Sequence, residues 1–232
     1  VSQAAFGPFA TVILDSRGVS AAAIGGLGAL ISIAFLGAAS GWGHLADAVL
    51  GRARTLSLVA LLTGAFLAVF ALPVPIVVAA AAYAGWGATF GMATPLSDAL
   101  AINALPDAAR QYGRLRGTLS GAFAVTAVGL GFVYDRVGYA PAAPLFVVLA
   151  VALALLARRL PDIGAVHLTG GQRGGAVRAA FKAAPRLPRV LVAVSIAYIG
   201  IFIGMTFLPL AIVRLGGGST EVAFSWAATA AL

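Results

Sequence analysis

Reactive side chains are scarce in this 232-residue chain, which has no cysteine, two histidines and seven carboxylates. Without thiols, disulfides and thiolate metal sites are excluded, and redox chemistry says nothing about compartment. His44 and His167 stand alone, with no metal-ligand spacing around them. There is no G-x-S-x-G nucleophile elbow, and Gly170-Gly171-Gln172-Arg173-Gly174-Gly175 lacks the G-K-[ST] ending of a phosphate loop. The acids are scattered along the chain rather than clustered as a magnesium site requires. These features argue against an enzyme, and neither cofactor nor metal is expected. Asp98 is the carboxylate whose position asks for a role. It follows the charge-free run Thr55–Ser97, and an ionised acid beside so apolar a segment is costly unless paired or wetted.

The elements that must hold such a residue are apolar throughout. Hydrophobic residues make up 61% of the chain and charged ones 9%, against roughly 45–50% and about 25% in soluble domains. Too few polar residues remain to cover a core in water, so the bilayer is the solvent that fits. A net charge of +8 would suggest nucleic acid in a soluble protein. Here the charges fall between apolar runs, so the expected partner is lipid and no nucleic acid is expected. No starting Met and no signal-peptide pattern is found at Val1.

A membrane-crossing helix needs about 20 apolar residues. Gly18–Ala46 holds one span, and the 43 residues of Thr55–Ser97 hold two, broken at Leu72-Pro73-Val74-Pro75. Gly117–Tyr134, Val137–Ala157 and Val190–Val213 supply three more, which makes six complete spans. Val1–Leu14 and Val222–Leu232 are apolar but short, and are expected to be parts of two further spans. The fold class expected is all-α, a polytopic transmembrane helix bundle.

Counting the first short segment as TM1, loops 2–3, 4–5 and 6–7 hold twelve Arg and Lys, whereas Arg17, Arg136 and Arg214 lie on the other side. The bias puts the N-terminus and the basic loops in the cytoplasm of a plasma (inner) membrane. Residues 1–157 then form a six-helix bundle with TM1 incomplete, 158–189 a basic cytoplasmic linker, and 190–232 TM7 with part of TM8. Within the linker, Ala176–Ala184 has the spacing of a short interfacial helix, with an ordinary positive-inside linker as the alternative. An internal repeat is also visible. Phe6-Gly7-Pro8-Phe9-Ala10 and Phe207-Leu208-Pro209-Leu210-Ala211 each precede a turn and a small hydroxyl residue that opens a helix.

Gly43-His44-Leu45-Ala46-Asp47 followed by Gly51-Arg52-Ala53-Arg54 resembles the loop 2–3 signature of the major facilitator superfamily. One extra residue separates Asp47 from Gly51, and Ala48 replaces a usual basic residue. Pro95-Leu96-Ser97-Asp98-Ala99, with Tyr112-Gly113-Arg114-Leu115-Arg116, is similar to elements of the phenylpropionate- and nucleoside-permease-like branch. The resemblance implies an MFS-type six-helix half plus TM7 and the start of TM8, and so a truncated copy that does not transport by itself. It also implies that Asp47, Arg52 and Asp98 form a charge cluster, with Arg54, Arg114 and Arg116 as neighbours. Such pairs can be made in one conformation and broken in the other, biasing the equilibrium that alternating access needs.

The family's TM1, TM4 and TM7 line a central cavity. Matching residues here are Gln3, Phe6 and Phe9; Tyr83, Trp86, Thr89 and Phe90; and Tyr198, Phe202, Met205 and Thr206. They describe an apolar wall with few hydroxyls, suited to a neutral, aromatic or amphiphilic solute. No ionisable residue lies mid-span, so a proton-coupling carboxylate would be Asp98 or lie outside this chain. The expected function is secondary active, ion-coupled uptake of a small organic solute, with protons as the candidate coupling ion. The alternatives are a drug or metabolite exporter, and a non-transporting sensor, subunit or inactive fragment. Four G-x-x-x-G pairs (Gly37/Gly41, Gly87/Gly91, Gly117/Gly121 and Gly200/Gly204) are expected to serve helix packing.

Overall fold

The computed structural model describes residues 2–160, 181–184 and 186–231. Among these residues the secondary structure is helical, without strands. Helices α1 (Ser2–Phe6) and α2 (Ala10–Ser16) are joined by a single 3-10 turn, Gly7–Phe9. They are followed by α3 (Ala21–His44), α4 (Arg52–Ala71), α5 (Ile76–Ala104), α6 (Ala108–Val137) and α7 (Ala142–Ala157). After the linker come α8 (Leu187–Arg214) and α9 (Ser219–Ala231). In lipid a backbone must satisfy its own hydrogen bonds, and charge-free runs of Ala, Leu, Val and Gly do so as helices. Among the described residues, four helical stretches are long and apolar enough to cross a membrane: 21–49, 52–71, 110–137 and 187–214. The 16-residue α7 is a shorter apolar helix.

Helix boundaries differ from the sequence expectation in three places, each for a local reason. The segment 45–49 prolongs α3 as a π-helical turn, with Leu50 N–H donating to Leu45 O at 2.8 Å. A π turn closes from i to i+5 and so takes up one residue more than an α turn. That accommodates the extra residue between Asp47 and Gly51. Second, α6 begins well before Gly117, because Asp107 caps it, its carboxylate accepting from Arg110 N–H at 3.2 Å. Arg110, Arg114 and Arg116 therefore stand on the first turns of a helix rather than in a loop. Third, α7 starts only at Ala142, after Gly138 turns the chain at φ +72°.

The short N-terminal stretch lies at the centre of the bundle. Ala4, Ala5, Phe6 and Phe9 are at most 1% exposed, packed among α6, α7, α8 and α9. Pro8 breaks α1 from α2, and Tyr134 Oη donates to the Ala5 carbonyl at 2.8 Å, tying α6 to this axis. Around it, α4 packs on both α5 and α7, α3 packs on α5, and α6 packs on α9. Ser57 Oγ donates to Ala154 O at 2.9 Å between α4 and α7, and Trp42 Nε1 donates to Ala88 O at 2.9 Å between α3 and α5.

Of the G-x-x-x-G pairs, Gly87/Gly91 packs as expected. A Cβ on Gly87 would meet Ile31 at 2.5 Å, and one on Gly91 would run into the Phe35 ring. No neighbouring atom lies within 4 Å of that position at Gly37, Gly41, Gly117, Gly121, Gly200 or Gly204. The two helix ends near the sequence repeat close alike, three residues out of register with it. Val19 N–H donates back to Leu14 O and Gly217 N–H to Ile212 O, with Gly18 and Gly216 both at positive φ.

Candidate functional site

Two apolar clusters divide the bundle along its length. The larger contains Phe6, Phe9, Tyr83, Trp86, Tyr134 and Phe146. The smaller joins Ala46, Ala53, Leu56, Met92, Leu96, Leu100 and Ala157. The neighbours of these small-cluster residues are Asp47, Arg52, Arg54, Asp98 and Arg158, so the charges of four chain segments gather at one end of the bundle.

Two ion pairs form there. Arg52 Nε lies 3.2 Å from Asp47 Oδ1, and Arg116 Nη1 lies 3.4 Å from Asp98 Oδ1. Tyr112, on the first turns of α6, stands beside the same carboxylate. Asp47 thus sits on the π-helical extension of α3 and answers the start of α4, whereas Asp98 answers α6. The side chains are between about a fifth and a half exposed, Asp98 least at 21% and Arg116 most at 47%. Arg54 lines a half-open cleft of about 630 Å³ with Ser57, Leu61 and Arg158. Arg114 is exposed on the first turns of α6.

The expected cavity residues separate by helix. On α5, Tyr83, Trp86 and Phe90 stack in sequence: centroids are 5.4 Å apart at 12° between the first two and 4.9 Å at 10° between the last two. Phe70 extends the ladder, stacked on Tyr83 at 4.9 Å, and Phe6 meets Trp86 edge-on at 5.7 Å. Thr89 is buried in a hydroxyl pair with Thr63 at 2.9 Å. The Trp86 indole N–H is buried and has no hydrogen-bond partner among the described residues. Phe9 is held edge-on to Tyr134 at 4.8 Å, away from this ladder. On α8, Phe202 is exposed and Thr206 half-buried, its hydroxyl donating to Phe202 O. The side chain of Tyr198 lies outside the described residues, as do His167 and most of the basic linker.

The opposite end of the bundle holds a constellation that sequence reasoning missed. Asp135, near the end of α6, accepts three hydrogen bonds from the start of α9. They come from Ser219 N–H at 2.5 Å, Thr220 N–H at 3.0 Å and Thr220 Oγ1–H at 2.5 Å. Tyr139 Oη and Ser219 Oγ are 2.8 Å apart, and Glu221 accepts from Gly218 N–H at 2.8 Å. Arg214 pairs with Asp15 at 3.0 Å, and Arg17 donates to the Phe70 carbonyl at the end of α4. The available signal was an acid closing an apolar run, together with a Gly-Gly-Gly-Ser-Thr turn that opens the next helix without an Asp or Asn cap of its own.

Among the described residues, no three His, Cys, Asp or Glu side chains gather as a metal site. Among the described residues, the arrangement pairs charges at one end and stacks aromatic rings within the core. The sequence profile of the MFS_1 like family matches residues 2–214. No curated protein and no solved structure matches the chain.

Proposed function

Because the chain belongs to the MFS_1 like family, a family of transporter-type membrane proteins, we propose that it carries a small neutral organic solute by alternating access. The observation that carries this reading is the pair of exchangeable ion pairs, Asp47 with Arg52 and Asp98 with Arg116, at one end of the bundle. Pairs that are partly exposed can be broken and remade at modest cost, so these side chains can exchange partners inside the first half for partners in the second as the gate cycles. The basic loops put this gate at the cytoplasmic face of the plasma membrane. Residues 1–157 act as one moving half, and 190–232 belong to the other.

The two short elements that resemble the phenylpropionate- and nucleoside-permease-like branch meet through Asp98, Tyr112 and Arg116, which supports that branch. The solute wall is the ladder Tyr83–Trp86–Phe90, with Phe202 and Thr206 on α8 as the candidates to face it. An aromatic face stacks well on such a ladder. The unpartnered Trp86 N–H favours a solute with one hydrogen-bond acceptor, since a buried donor left unpaired costs about 1–3 kcal/mol. Uptake is coupled to protons through Asp98.

The test is uptake of a labelled neutral aromatic solute, against a dianionic control, into vesicles holding the complete gene product under an imposed proton gradient. Trp86→Phe should raise KM and leave the maximal rate unchanged. Asp98→Asn should impair uptake while sparing membrane insertion. Full uptake by Asp98→Asn would sink the gating role, and preference for the dianion would sink the solute class.

A further inference from the structure

We propose that Asp135 is a cap supplied in trans, which latches α6 to the first turn of α9 and closes the end of the bundle opposite the arginine-rich loops. The latch must release each time that end opens. The device rests on the alternating-access reading above, but its geometry stands by itself.

A helix begins with backbone N–H groups that have no partner within the helix. Ordinarily a side chain at or next to the first residue accepts from them. Just before α9, Gly218 N–H is served locally, by Glu221. The next two, Ser219 and Thr220, donate to a carboxylate 84 and 85 residues away in sequence. The Thr220 hydroxyl joins them, so one aspartate takes three donors. The negative charge also sits at the positive end of the α9 dipole.

The surrounding residues are shaped for this approach. A Cβ on Gly218 would come 2.7 Å from Asp135 Oδ1. A Cβ on Gly131, one turn before Asp135, would come within 3.0 Å of Ala223, Ser219 and Thr220. Gly129 has nothing within 4 Å, so the close approach belongs to the face that meets α9. Two flanking contacts span the same end: Tyr139 with Ser219 and Asp15 with Arg214.

At the other end the helices present open surfaces. Val190, Val192 and Ile196 on α8 are exposed, as are Arg114 and Arg116 on α6. Among the described residues, the hydrogen bonds that join α6 to α9 lie at the Asp135 end. A carboxylate serving backbone donors across two helices is fastened only while the helices are in register, which makes it an element with made and broken states rather than a graded spring.

The 232 residues contain no cysteine, so, with any cysteine elsewhere in the gene product replaced by serine, a single engineered pair reports the contact. Phe132 and Phe224 lie across α6 and α9 with ring centroids 6.5 Å apart. With Phe132→Cys and Phe224→Cys in the complete gene product, a short bifunctional thiosulfonate should link the two helices. Linking should stop uptake, and reduction should restore it. Adding Asp135→Ala should slow linking about five- to tenfold, with Asp135→Asn intermediate and Thr220→Val smaller still. A misfolded variant would not produce that order, and Thr220→Val leaves the backbone donors in place.

Unchanged linking in Asp135→Ala overturns the latch, and so does undiminished uptake in the linked protein. If the wild-type protein carries no tested solute yet linking still falls with Asp135→Ala, the solute proposal fails and the latch stands.

Discussion

The two ends of the bundle hold their helices by different chemistry. At one, Asp135 grips backbone N–H groups of α9 with donor distances of 2.5–3.0 Å, and two glycines let the backbones approach. At the other, side chain meets side chain, Arg52 with Asp47 and Arg116 with Asp98, at 3.2 and 3.4 Å; the carboxylates at both ends reach solvent, Asp135 being exposed. A backbone donor cannot swing away or be shared, so the first contact depends on register. A guanidinium on a long stem can change partner, so the second tolerates movement and responds to salt. One end reads as a fastening with a fixed position, the other as a set of exchangeable pairs.

Filling the space at the fastened end should break the comparison most severely. Gly131→Leu puts a branched side chain where even a Cβ would be within 3.0 Å of Ser219, Thr220 and Ala223. Overpacking of this kind costs about 1–3 kcal/mol and here would part α6 from α9. Gly129→Leu, two residues away with nothing within 4 Å, should be close to neutral, within about 0.5 kcal/mol. Thermal denaturation of the purified protein in detergent measures both. Equal losses in the two variants would mean that the glycines serve helix flexibility and not the approach of α9.

Asp98→Asn should have a smaller effect on stability and a clear one on transport. The pair with Arg116 is partly exposed, so its loss should cost no more than about 1 kcal/mol of stability. Uptake should fall at least about fivefold if the pair biases one of two states. Raising salt from about 0.1 M to 1 M contracts the screening length from about 10 Å to about 3 Å. That should narrow the difference in uptake between wild type and Asp98→Asn, while leaving cross-linking between α6 and α9 nearly unchanged. A strong salt effect on the cross-link would erase the distinction between the ends.

Much of this arrangement was legible before any coordinates. Charge-free runs located the helices, and Leu72-Pro73-Val74-Pro75 marked the break between α4 and α5. What a linear run could not reveal was which short segment lies at the centre. Length makes Val1–Leu14 a fraction of a span and says nothing of its depth, whereas Phe6 and Phe9 are among the most buried side chains. Burial depends on neighbours from α6 to α9, and hydropathy carries no record of them. Loop charges put Asp98 and Asp47 at one end, and the family resemblance offers Arg52 to Asp98 first, with Arg54, Arg114 and Arg116 as neighbours. Arg116 answers it only because α6 starts at Ala108. Asp135 was passed over because its partners are backbone atoms, which every sequence has and none displays.

The finest test of the fastened end is Tyr139→Phe. The ring keeps its place beside Phe9 and Tyr134, 6.0 and 5.6 Å away by centroid, and only the hydroxyl contact with Ser219 is lost. The cost should be about 0.5–1.5 kcal/mol, nearer the lower figure for a half-buried group. Burial pushes the Tyr139 phenol above its ordinary value of 10.0; the hydrogen bond with Ser219 pulls it down, and the charge of Asp135 raises it again. A phenol raised on folding contributes its stability fully below about pH 10, and loses it as pH climbs through the raised value. The α6–α9 contact should therefore be insensitive to this group from about pH 6 to 9 and weaken only in alkali. Fluorescence of Trp226, which lies 6.4 Å from Phe123 across the same helix pair, can follow that loss. In Tyr139→Phe the alkaline step should diminish while the Asp135 contact persists. An alkaline step of full size in the variant would assign it to another group and leave Tyr139 as packing alone.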